Sequence, residues 1–178
     1  YEVIKSMVLL NKSKNDNNGL FSQVEFYIDM DGVLVDFFSA WAKLSGEKHW
    51  RDIKNIQSSL DLVRQKKNFW IDLKPTRNYA RLLQLIKKVK GEYHILSAPL
   101  ENDPTVEEGK RNWINRYLSN SFPKSIIFTR NKYNYAIGSD GTPNILIDDY
   151  GENIRIWESY GGVGIKHKDY KFERTKQK

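Results

Sequence analysis

Two carboxylates one residue apart, at the end of an apolar run and directly before a glycine, constrain this chain more than any other feature. The run is Val24-Glu25-Phe26-Tyr27-Ile28, and the acidic turn is Asp29-Met30-Asp31-Gly32-Val33. A short apolar run closed by a turn residue reads as a buried strand. At an extended strand end, side chains at i and i+2 point the same way. Gly32 lets the chain turn sharply behind them. In α/β proteins, ligands bind in the crevice beyond the carboxyl ends of parallel strands. Two like charges so close repel, and a Mg²⁺ ion is the usual remedy, because hard cations take oxygen ligands.

The rest of the chain alternates between strand and helix patterns. Strands are expected at Val24–Asp29, Tyr93–Leu96, Ser125–Thr129, Asn144–Ile147 and Val163–Ile165. Between them, Val35–Leu44, Tyr79–Val89, Thr105–Leu118 and Gly151–Tyr160 carry apolar residues at helical spacing or helix-forming stretches, and Gly91 follows the second as a helix stop. Such alternation implies βαβ units, hence an α/β, Rossmann-like parallel sheet flanked by helices. Residues 45–75 are less regular and aromatic-rich, and read as a small helical cap inserted after the first strand. The expected organisation is an N-terminal extension at 1–23, a core from 24–44 and 76–165, the cap at 45–75, and a basic, disordered tail at 166–178. Within the extension, 1–10 reads as a strand or short helix and 11–19 as an exposed loop.

Composition narrows the class. The chain has 178 residues, 39% hydrophobic and 29% charged, which suits one soluble domain with a real core. No apolar run approaches the ~18 residues of a membrane span. No signal-peptide pattern is visible. The chain opens at Tyr1 rather than Met, which points to a processed chain or a piece of a longer protein. Absence of cysteine removes disulfides, thiolate metal sites and cysteine nucleophiles, and suits a cytoplasmic setting. Asn11-Lys12-Ser13 matches a glycosylation sequon of the kind common by chance. The net charge of +7 suits an anionic substrate, or a weak attraction to nucleic acid. His49, His94 and His167 are scattered without metal-ligand spacing.

Four expected strands end in polar groups: Asp29 and Asp31; Ser97; Thr129-Arg130-Asn131-Lys132; and Asp148-Asp149. In a parallel sheet all four meet at one edge. Taken singly, each fits a plainer role: a turn or helix cap for the acidic pair, a surface lysine for Lys132, a satisfied strand end for Ser97. In order along one chain, DMDGVLVDF (29–37), NFWIDLKP (68–75), ILSAP (95–99), TRNK (129–132) and LIDD (146–149) resemble the haloacid dehalogenase-like phosphatase superfamily, and within it the 5'(3')-deoxyribonucleotidases. The similarity spans about Val24 to Ile165.

The resemblance implies that Asp29 is the nucleophile and that Asp31 protonates the leaving alcohol and then activates water. It implies that Mg²⁺ is held by the Asp29 carboxylate, the Asp31 backbone carbonyl and the acidic pair, with Asp149 the direct ligand and Asp148 behind it near Lys132. Ser97 and the Ala98 backbone would bind phosphate, and Lys132 would neutralise developing charge. Ala98 stands where these nucleotidases have a second hydroxyl residue.

Substrate contacts are expected from Phe37, Trp50, Phe69, Trp70, Lys110 and Arg130, against a packing role for the aromatics and a surface role for the cations. The expected partner is a small phosphorylated molecule, a nucleotide by the resemblance, with no membrane; a homodimer is allowed. Two other readings stand beside a deoxyribonucleotidase: a phosphatase of nucleic-acid ends, such as a 3'-phosphatase, and a non-catalytic binding domain. A wide basic cleft beside the DxD would mark the end-phosphatase, a closed aromatic pocket the mononucleotidase.

Overall fold

The computed structural model describes residues 23–172. Expectations for residues 1–22 and 173–178, including the sequon, lie outside the described residues. Five parallel strands form one sheet: β1 (Phe26–Ile28), β2 (His94–Ser97), β3 (Ser125–Phe128), β4 (Ile145–Asp148) and β5 (Val163–Lys166). Their spatial order is β3-β2-β1-β4-β5. β1, β2 and β4 are buried along their whole length, as their largely apolar runs require of strands covered on both faces.

Five helices accompany the sheet in the described residues: α1 (Phe37–Leu44), α2 (Ile56–Gln65), α3 (Tyr79–Val89), α4 (Val106–Tyr117) and α5 (Gly151–Ser159). Their ends follow ordinary capping chemistry. The Asp36 carboxylate accepts from Ser39 N at the start of α1, and Asn55 accepts from Ser58 N at the start of α2. Gly91, at φ +95°, follows the end of α3.

The chain order runs outward from β1 through β2 to β3, then returns to β4 on the other side of β1. The crevice between β1 and β4 is therefore the switch point where α/β sheets hold ligands. Register completes the arrangement. Ile28 pairs with Ile147, and Asp29 N donates to Ile147 O at 2.9 Å, so Asp29 and Asp148 leave the sheet side by side.

Residues 45–75 leave and rejoin the core at neighbouring points. Val35 pairs with Pro75, Asp36 N donates to Lys74 O, Thr76 N donates to Leu34 O, and Thr76 Oγ1 donates to Val33 O. The segment holds a 3-10 turn (Trp50–Asp52) and α2, and its Ile53, Val63, Phe69, Trp70 and Leu73 share one hydrophobic cluster with Ile28 and Ile95. Buried indoles find partners: Trp41 donates to Ser59 Oγ, Trp113 to Leu73 O, and Trp157 to Asn144 O.

The start of the tail departs from expectation. Residues 166–172 are folded, not disordered. Asp169 accepts from the backbone N–H groups of Arg77 and Asn78 just before α3, and Phe172 is buried beneath the Arg81 guanidinium. Two specific anchors outweigh the basic composition of the segment.

Candidate active site

The acidic turn is a compact loop. The N–H groups of Val33, Leu34 and Val35 all donate to Met30 O, and Gly32 N donates to Val35 O. These bonds leave the Asp31 carbonyl outside the turn's own network. Gly32 sits at φ +78°, and a Cβ there would lie 2.4 Å from Asp149 Oδ2. The glycine thus serves two ends, the left-handed turn and the close approach of the Asp149 carboxylate.

Two lysines organise the carboxylates. Lys132, from the 3-10 turn after β3, places Nζ 2.9 Å from Asp29 Oδ1 and 2.7 Å from Asp148 Oδ2. Lys110, from α4, places Nζ 2.7 Å from Asp31 Oδ2, 2.9 Å from Ser97 Oγ and 3.2 Å from Ala98 O. Its ammonium also lies 4.9 Å from the centre of the Trp70 ring. Both lysines are buried, and each faces carboxylates at ion-pair distance. Burial works against the charge on Lys132, but Asp29 and Asp148 outweigh it and push its pKa up.

The acidic pair divides its labour. Asp148 is fully buried and held by three donors: Oδ1 accepts from Tyr150 N at 2.8 Å, and Oδ2 accepts from Lys132 and from Asn153 Nδ2 at 2.9 Å. Asp149 has no hydrogen bond or ion pair among the described residues. Burial, with repulsion from Asp29, Asp148 and Asp31, pushes its carboxyl up to about 8. Burial first, then repulsion from Asp148 and Asp31, pushes Asp29 up to about 7, although Lys132 and Lys110 pull the other way. Asp31 Oδ1 is buried without a hydrogen-bond partner.

Asp29, Asp148 and Asp149 bring one carboxylate oxygen each within 4.8 Å of one another. An unpartnered carboxylate in a cluster of hard oxygen donors fits a divalent cation such as Mg²⁺. Asp149 is the least engaged of the three, with no hydrogen bond or ion pair among the described residues, whereas Asp148 already accepts from three donors.

Asp29, Asp31, Ser97, Ala98, Lys110, Lys132, Asp148 and Asp149 therefore gather at one sheet edge. Of the remaining expected contacts, Trp70 lies beneath the Lys110 ammonium and Trp50 lines the neighbouring cleft, whereas Phe37, Phe69 and Arg130 stand apart from the cleft lining. Phe37, Phe69 and Trp70 are buried in the core, where Phe37 stacks on Trp41 and Trp70. Their apolar faces find neighbours inside the chain. Trp50 lines the cleft beside Asp149, and Phe38, not Phe37, stands next to it. Arg130 is exposed, paired with Glu101, and not among the residues that line the cleft.

Two features escaped sequence reasoning. Lys110 reaches Asp31 across 79 positions of sequence, which no local pattern reveals. Asp103 accepts from Trp70 Nε1 at 2.7 Å and from Thr105 N at 2.9 Å, and so ties the indole under Lys110 to the start of α4. The Asp-x-Thr spacing just before a helix was the available signal.

The five-stranded parallel sheet flanked by helices is a haloacid dehalogenase-like α/β fold, as superposition on solved structures shows. A hydrolase from Streptococcus pneumoniae TIGR4 superposes with a TM-score of 0.58 at 12% identity, over 87% of this chain and 98% of that one. A haloacid dehalogenase-type hydrolase, family IA, variant 3, from Entamoeba histolytica HM-1:IMSS gives 0.51 at 15% identity, over 79% and 82%. In sequence, the chain is similar to a protein of Vibrio phage KVP40 named "Putative 5'(3')-deoxyribonucleotidase", 28% identical over 139 residues, 73% of this chain and 74% of that protein. No protein-family model matches the chain. Among the described residues, no helix is long and apolar enough to cross a membrane.

Proposed function

We propose that this chain is a Mg²⁺-dependent phosphomonoesterase of deoxyribonucleotides, working through an aspartyl phosphate in a cytoplasmic setting. The observation that carries the reading is the contact between Asp29 and Lys132 beside the unpartnered Asp149 carboxylate. The phage relative's name and the nucleotidase resemblance support a phosphate ester of a deoxyribonucleotide as the substrate class.

In the first half-reaction the Asp29 carboxylate attacks phosphorus and the ester P–O bond breaks. The leaving alkoxide takes a proton from Asp31, whose unpartnered Oδ1 is the free oxygen. In the second, the Asp31 carboxylate takes a proton from water, the water oxygen attacks phosphorus, and the Asp29–phosphorus bond breaks to release phosphate. Lys110 fixes the Asp31 carboxylate through its other oxygen and offers charge beside Ser97. Lys132 holds Asp29 in its attacking position and meets charge on the phosphoryl oxygens. Asp29 and Asp149, with the Asp31 carbonyl, would hold Mg²⁺, which when bound supplies charge neutralisation at the phosphoryl oxygens.

The test is phosphate release from deoxyribonucleoside monophosphates, sugar phosphates and an aryl phosphate, with and without Mg²⁺. Turnover of a nucleotide that requires the metal is expected. Failure to hydrolyse any phosphate ester would return the chain to the non-catalytic reading.

A further inference from the structure

A cleft of about 1000 Å³ opens from Asp149 between the cap and the C-terminal residues. That is the upper end of the volume range of single small-molecule sites. Its lining includes five exposed cations, Lys48 and Arg51 on the cap and Arg77, Lys166 and Lys168 on the core. None of the five forms an ion pair among the described residues. The carboxylates of the same lining are engaged elsewhere: Asp36 caps α1, Asp169 accepts from Arg77 N and Asn78 N, and Glu152 pairs with Arg155. Asp149 belongs to the catalytic cluster. With Glu152 paired and Asp149 in the catalytic cluster, the lining carries five cations against the two remaining carboxylates, Asp36 and Asp169, a surplus that a monophosphate, whose one phosphate sits at Asp29, does not meet.

Aromatic faces lie among these cations. Phe38 and Trp50 form a tilted pair on one wall, with Arg51 5.2 Å from the Trp50 ring centre. Tyr150, directly after Asp149, is 61% exposed, and Tyr170 is 74% exposed. A positive groove with interleaved π-faces is the chemistry that holds a single strand of nucleic acid. Resting on the phosphatase reading, we infer that the substrate is the phosphorylated end of a single DNA strand, with its terminal phosphate at Asp29 and the next phosphodiesters along the five cations.

The test compares Mg²⁺-dependent turnover of an aryl phosphate, a deoxyribonucleoside monophosphate, a 3',5'-bisphosphate, and ten-nucleotide single strands phosphorylated at either end. At low salt, kcat/KM for one of the strands should exceed that for the monophosphate at least ~10-fold, and the advantage should fade as salt rises. The double variant Arg51→Ala/Lys168→Ala should lower the ratio of strand to aryl-phosphate kcat/KM about tenfold and flatten the log–log salt slope by roughly 1.4, at ~0.7 per phosphate contact. Both side chains are exposed, so the variant keeps its core. Equal kcat/KM for strand and monophosphate overturns the inference and leaves the phosphatase reading standing. A bisphosphate as good as the strand also overturns it, assigning the cations to a second phosphate on one nucleoside. If no ester is hydrolysed, the phosphatase reading fails by itself. Fluorescence anisotropy of a labelled strand then decides the cleft: salt-sensitive binding lost in the double variant supports it, and absence of binding overturns it.

Discussion

Replacing Gly32 by alanine separates the geometry of the acidic turn from its chemistry. A Cβ at Gly32 would lie 2.4 Å from Asp149 Oδ2, 2.7 Å from its Cγ and 2.9 Å from Phe38 Cε2, against an ordinary contact that starts near 3.4 Å. The Asp149 carboxylate must therefore withdraw by about 1 Å, a displacement of the size that can cost ~10²-fold in rate when a reacting group is misplaced. The left-handed backbone adds about 1–2 kcal/mol for any non-glycine residue. Gly46 supplies the control: it sits at φ +77°, and a Cβ there would meet nothing within 4 Å. Gly46→Ala should bear the backbone cost alone and lower Tm by roughly 2–4 °C per kcal/mol, with metal binding and turnover intact. Gly32→Ala should match that thermal loss or exceed it, weaken Mg²⁺ binding by calorimetry, and cut kcat/KM about 10²-fold. Wild-type metal affinity and turnover in Gly32→Ala, or equal functional losses in Gly46→Ala, would refute the reasoning.

Asp29→Asn should remove turnover by more than ~5 kcal/mol of barrier in a folded protein, whereas Asp31→Asn should slow it by about 10²–10⁴-fold and keep metal binding; steady-state rates and calorimetry separate the two. Lys132→Met should destabilise the metal-free protein by about 3–5 kcal/mol in urea melts, because it leaves Asp29 and Asp148 buried without their cation; a loss below ~1 kcal/mol would show that the pairs are unimportant. The Asp149 carboxyl, raised to about 8 from 3.8, makes the folded state bind more protons than the unfolded chain between those values. Its contribution to the stability of the metal-free protein is therefore full below pH 4 and falls away as pH rises to 8. Asp149→Asn should gain Tm over wild type at pH 8 to 9 and gain little at pH 4, and an advantage independent of pH would contradict the sign.

The acidic strand ends were legible because each closes a run of apolar residues that has only one place to go, the middle of a sheet covered on both faces. Ile145-Leu146-Ile147 before Asp148-Asp149 is such a run, and its pairing with Phe26-Tyr27-Ile28 brings the two acidic groups together. Phe37 and Phe38 show the opposite case. Adjacent aromatics on a helix point about 100° apart, and only the packed cap decides that Phe37 meets Trp41 and Trp70 while Phe38 meets Trp50. The tail hid for another reason. Its composition is that of a solvated segment, yet Asp169 at two backbone N–H groups and Phe172 under Arg81 hold it down.

Charge balance ties the catalytic cluster to the cleft. Among the described residues, the only cations paired with Asp29, Asp31, Asp148 and Asp149 are Lys110 and Lys132, so the fully ionised cluster carries two negative charges more than positive ones. One divalent cation brings that to neutrality, whereas without it the raised Asp29 and Asp149 carboxyls relieve the repulsion by keeping protons. A neutral cluster has no long-range attraction for a phosphate dianion. Whatever draws an anionic substrate inward must lie outside the cluster, and Lys48, Arg51, Arg77, Lys166 and Lys168 occupy that position around the cleft. Steering by these exposed groups is screened over a Debye length of about 8 Å at physiological salt, whereas the buried pairs are screened far less. Salt should therefore raise KM for anionic substrates and leave kcat nearly unchanged, and a kcat that fell in parallel would place the salt-sensitive charges inside the catalytic cluster.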